Sequence, residues 1–102
     1  MIQIIEQHRA ALAELCRRFS VKRLDLFGSA ANGTFSAERS DLDFLVTLTA
    51  QSPGDYSDNY FGLAEALEKL FQRRVDLVTE SSIRNPFFRQ AIKESRQPVY
   101  EA

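Results

Sequence analysis

The stretch Leu26-Phe27-Gly28-Ser29, followed after the polar segment 30–40 by Asp41-Leu42-Asp43-Phe44-Leu45-Val46, decides how this chain of 102 residues is read. It sets a Gly-Ser turn directly after one apolar strand. It then places two aspartates, spaced i and i+2, at the mouth of a second. Alternate strand residues share a face, so Asp41 and Asp43 point the same way, ~7 Å apart by backbone rise. Two carboxylates held side by side repel, and a cation relieves the repulsion. Glycine at position 28 permits close backbone approach, and N–H groups at a helix start, with the Ser29 hydroxyl, suit phosphate oxygens. A phosphate-sized turn beside a divalent-cation site is the minimum equipment for nucleotide chemistry.

Working outward, Lys22–Phe27 and Leu42–Leu48 read as strands, with residues 28–40 a loop between them. Ile5, His8, Leu12, Leu15 and Phe19 recur at helical spacing, which predicts one helix over 3–19, ended by Ser20. Ser52-Pro53-Gly54-Asp55 reads as a turn before a second helix over 56–72, with Tyr56, Tyr60, Leu63 and Leu67 as its buried stripe. Residues 74–78 give a third strand. Asn85-Pro86 reads as a helix cap followed by proline in the first turn. Pro98-Val99-Tyr100 suits an edge strand, where proline is tolerated. The fold class is therefore α/β (α+β): a small mixed β-sheet with helices packed on it, in one domain over residues 1–102.

The third strand supplies a third carboxylate. Val75 and Leu77 take one face, so Asp76 stands on the other. Asp76 reaching Asp41 and Asp43 would support two Mg²⁺ ions, ~3.5–4 Å apart, the usual separation in two-metal sites. Each piece alone has a purely structural reading: Asp-x-Asp as a turn or cap, Gly-Ser as a turn, Asp76 as a partner of Arg74 or Arg23. Their coincidence at three strand edges favours a site.

Rival motifs fail on single residues. A P-loop needs lysine where Thr34 stands, and an EF-hand opening at Asp41 needs glycine and glutamate where Val46 and Ser52 stand. A phosphatase with an aspartate nucleophile carries its pair after an apolar strand, whereas Glu38-Arg39-Ser40 precede Asp41 here.

Gly28-Ser29, Ser40-Asp41-Leu42-Asp43-Phe44-Leu45-Val46 and Val75-Asp76-Leu77-Val78 together resemble the minimal nucleotidyltransferases of the DNA polymerase β superfamily, over nearly the whole chain. The resemblance implies a polymerase-β-like fold. It implies Asp41, Asp43 and Asp76 as catalytic metal ligands, with Asp76 also a base toward the acceptor hydroxyl. Gly28 and Ser29 would hold the β- and γ-phosphates of ATP, and Mg²⁺ would be the cofactor. It further implies AMP transfer to a hydroxyl of a partner protein, the usual partner being a helical HEPN-type toxin that the family member neutralises as an antitoxin. Two departures favour the alternative of an inactive binding module. Eleven residues separate Ser29 from Asp41, one more than the family commonly has, and Asn32 stands where arginine is frequent.

The remaining sequence bounds the setting. A formal net charge of −1 offers no global basic field for direct nucleic-acid binding. The run from Arg9 to Arg23 is locally basic and reads as a solvated helix face. Cys16, the single cysteine, reads as a core residue in a reducing compartment. No apolar run approaches the ~20 residues of a membrane span, and no signal peptide is visible, so a soluble cytoplasmic protein is expected. His8 reads as a packed histidine. Phe87 and Phe88 cannot both face inward on one helix; extension of the core by one of them is preferred over a partner-facing role.

Overall fold

In the computed structural model, residues 2–28, 31 and 41–102 are described. Strands β1 (Val21–Phe27) and β2 (Leu42–Leu48) pair antiparallel, with Leu26 opposite Phe44 and Phe27 opposite Asp43. Strand β3 (Val75–Thr79) lies parallel to β2 and sets Asp76 opposite Asp43. Strand β4 (Gln97–Glu101) runs antiparallel along the other side of β1, so the order is β3-β2-β1-β4 and the sheet is mixed, as expected. Pro98 sits on the edge strand.

Among the described residues the helices that can be bounded are α1 (Gln3–Gln7), α2 (Arg9–Arg18), α3 (Pro53–Phe71) and α4 (Pro86–Ser95), with a short 3₁₀ turn at Glu80–Ser82. A parallel strand pair needs a crossover, and α3 provides the one between β2 and β3.

Two expectations about helices are corrected. The helix over 3–19 is broken at His8. The His8 Nδ1–H donates to the Ile4 carbonyl at 2.8 Å, and its ring meets Phe71 edge-on at 5.3 Å. A side chain that takes the i−4 carbonyl competes with the backbone ladder, and the helix restarts at Arg9. The segment read as a turn at 52–55 instead opens α3, because Ser52 Oγ accepts from Asp55 N–H at 3.2 Å and Pro53 occupies the first turn. Strand ends differ from expectation by a residue or so. The predicted cap at Asn85 is present: its Oδ1 accepts from Phe87 N–H at 2.9 Å and Phe88 N–H at 3.3 Å.

The sheet separates two cores. Leu24, Leu26, Leu42, Phe44, Val46 and Leu77 face α1, α2 and α3, together with Leu12, Cys16, Leu63 and Leu67. Burial pushes the Cys16 thiol up to about 12, so it behaves as a core residue. On the opposite face, Phe27 and Leu45 pack with Ile83 and Ile92 beneath α4. Of the two adjacent phenylalanines, only Phe88 reaches that core, through Phe27. Phe87 is 85% exposed; Phe88 is 44% exposed and sets its ring edge against Phe27 at 6.1 Å. Among the described residues no helix is long and apolar enough to cross a membrane.

Candidate active site

The period of two along each strand carries Phe27, Asp43 and Asp76 onto the face that bears the smaller core. Helix α4 covers Leu45 farther along that face, while Asp43 and Asp76 stand next to the beginnings of β2 and β3. The two carboxylates oppose each other across parallel strands. Burial, then the negative charge of Asp76 and a hydrogen bond shared with it, then the charge of Asp41, push Asp43 up to about 6. Asp41 immediately precedes β2, half-buried.

Gly28 closes on the same point. Its φ is +71°, in the left-handed region, and a Cβ built there would collide with the Asp43 carboxylate. Glycine therefore serves twice, turning the chain out of β1 and letting the backbone touch Asp43. Ser29 lies outside the described residues, as does Asn32.

Asp43 stands where two cavities meet. One, of ≈ 820 Å³, runs from Gly28 and Ala31 to Ala91 and Gln97. The other, of ≈ 530 Å³, is lined by Asp76, Tyr60, Phe61 and Phe88. The Tyr60 hydroxyl in that wall is committed to the Leu77 carbonyl.

The donors suit a hard divalent cation. They are carboxylate oxygens, with Asp43 and Asp76 facing each other across parallel strands. No group of three His, Cys, Asp or Glu side chains converges to hold an ion among the described residues. The site presents a facing pair with Asp41 nearby, not a closed cage. That matches Mg²⁺, which is usually bound by one or two carboxylates plus substrate phosphates.

Sequence reasoning passed over Asp25. It is 1% exposed, and its carboxylate accepts from Arg23 Nε at 3.0 Å and Arg96 Nε at 2.9 Å. Arg96 also donates to Glu80 at 3.2 Å. The only available signal was an acid between Leu24 and Leu26 in a buried strand; its main partner lies 71 residues away. The alternative pairing of Asp76 with Arg23 does not occur, since Arg23 is taken by Asp25.

The chain is similar to known proteins over most of its length. Residues 8–99 match the family model of the nucleotidyltransferase domain. The chain is 36% identical over 92 residues to a candidate protein adenylyltransferase of Methanocaldococcus jannaschii, covering 90% of this chain and 87% of that one. It is 32% identical over 96 residues to the protein adenylyltransferase MntA of Thermococcus cleftensis, covering 89% and 85%. Its fold matches a chain in the crystal structure of a toxin–antitoxin with AMP-PNP, at a TM-score of 0.69 and 23% identity over 92% of this chain and 73% of that one.

Proposed function

The chain belongs to the nucleotidyltransferase-domain family and is a nucleotidyltransferase; from that premise we propose that it moves AMP from ATP to a hydroxyl of a partner protein. The partner is a helical HEPN-type toxin, which this chain neutralises in the cytoplasm. The observation that carries the reading is the facing pair Asp43 and Asp76 beside the Gly28 turn. The names of the relatives and the toxin–antitoxin setting of the like-folded chain support the choice of AMP and of partner.

Asp41, Asp43 and Asp76 would hold Mg²⁺, which supplies charge neutralisation on the triphosphate and lowers the pKa of the attacking hydroxyl. Gly28, with Ser29, receives the β- and γ-phosphates through backbone N–H groups and the serine hydroxyl. The acceptor oxygen forms its bond to the α-phosphorus as the bond to the β-phosphate bridging oxygen breaks. Asp76 takes the hydroxyl proton, and pyrophosphate carries the electron pair away. Asp43 keeps the two substrates together, because both cavities open onto it.

The test is label transfer to the purified toxin partner with Mg²⁺. Label at the α-phosphate should reach the partner, and label at the γ-phosphate should not. Transfer of γ-label would mean a kinase. A complex that neutralises the toxin with no transfer of either label would assign the chain to the binding-module reading.

A further inference from the structure

The cavity containing Gly28 has two walls. One is the turn itself with Asp43. The other is helix α4 and the start of β4, including Ala91 and Gln97. One side chain crosses between them. Gln97 Nε2–H donates to the Ala31 carbonyl at 3.0 Å, 66 residues earlier in the chain. Ala31 N–H in turn donates to the Gly28 carbonyl at 3.1 Å.

Gln97 is itself firmly placed. It opens β4 opposite Leu26, and its neighbour Arg96 is anchored on buried Asp25 and on Glu80. Arg96 N–H also closes α4 onto the Ile92 carbonyl at 2.7 Å. The corner between α4 and β4 is therefore fixed to β1, and Gln97 extends from it to the turn that leaves β1.

We propose that Gln97 is a positioning residue for the nucleotide: its amide clamps the Gly28–Ala31 turn against the α4–β4 corner and sets the width of the cleft that takes the triphosphate. The inference rests on the nucleotidyltransferase reading of that cleft. The Gln97 bond ties Ala31 to the α4–β4 corner, and a local opening of the turn would have to break it. A ligand that must first order its site binds less tightly than one meeting a preformed site. Glutamine suits the task because it donates without adding negative charge beside the phosphates.

Calorimetric titration with Mg²⁺ and AMP-PNP tests this without any acceptor. Gln97→Met keeps length and loses the donor. Its Kd for AMP-PNP should rise about five- to tenfold, the usual worth of one lost hydrogen bond. Gln97→Thr, too short to reach Ala31, should show the same rise. The KM for ATP should rise by that factor with kcat unchanged, the thermal midpoint should fall by no more than the roughly 4–8 °C that one hydrogen bond is worth in a domain of this size, and Mg²⁺ affinity without nucleotide should stay at the wild-type value. Wild-type AMP-PNP affinity in either variant overturns the clamp, and so does a fall in kcat or in Mg²⁺ affinity that accompanies the weaker binding. A wild-type protein that binds no AMP-PNP at millimolar concentration overturns the nucleotidyltransferase reading and this inference together, a result separable from the others because it appears without any substitution.

Discussion

Burial and the facing carboxylate of Asp76 raise the Asp43 pKa to about 6 from its ordinary 3.8. Between those values the unfolded chain releases a proton that the folded chain keeps. Folding stability in metal-free buffer therefore falls as pH rises from about 4 through about 6. Asp43→Asn removes that penalty. Discounted for its partial exposure to solvent, the variant should be about 1–2 kcal/mol more stable than wild type at pH 8, with the difference gone near pH 4. Urea unfolding in EDTA across that range checks both sign and window. Mg²⁺ affinity should move oppositely, weakening as pH falls through about 6 and Asp43 takes a proton. Gly28→Ala meets two obstacles, a left-handed φ of +71° and the Asp43 carboxylate. A loss of about 1–3 kcal/mol is expected by the same unfolding measurement. Asp43 and Asp76 could be placed on one face from the sequence because a strand repeats every two residues. Asp25 obeys the same period, but nothing local distinguishes an acid that will be buried between two arginines from one that faces water.

Caps made the helices legible where their residue types were specific. Asn85 with Pro86 marks the start of α4, and the structure shows Asn85 accepting from two backbone N–H groups. Asn85→Ala should cost about 1 kcal/mol in thermal or urea unfolding. Ser52 with Pro53 carries the same signature at the start of α3, yet the following glycine and aspartate resemble a turn equally well. Only packing against the sheet separates the two readings. The break at His8 was not legible either, since its cause is a ring bonded to Ile4 and resting on Phe71, which arrives from α3. The tie between β1 and the α4–β4 corner runs through Asp25. Asp25→Ala would remove the buried acceptor shared by Arg23, which is partly exposed, and Arg96, which keeps Glu80, and a loss of about 1–3 kcal/mol is expected in chemical denaturation.

Across the molecule, the mixed sheet and its helical cover follow from the order of elements, whereas the strand order β3-β2-β1-β4 does not. Placing β4 beside β1 depends on contacts between residues such as Leu24 and Tyr100, and no local pattern encodes that distance. The carboxylate half of the candidate site was legible because Asp43 and Asp76 lie on strands, with Asp41 just before one. The wall formed by α4 and Gln97 was not, because the chain's last elements fold back onto the turn after β1. On the proposed mechanism stability and chemistry pull apart at Asp43, whose burial beside Asp76 the fold tolerates at a cost. The decisive measurement is the rate of AMP transfer to the proposed toxin partner by wild type and by Asp43→Asn, at saturating ATP and Mg²⁺ and pH 8. The variant should be folded, no less stable than wild type without metal, and slower by about 100-fold or more, the scale of losing an electrostatic group at a reaction centre. A folded Asp43→Asn that transfers AMP at the wild-type rate would contradict the assignment of the carboxylate pair as the reaction centre.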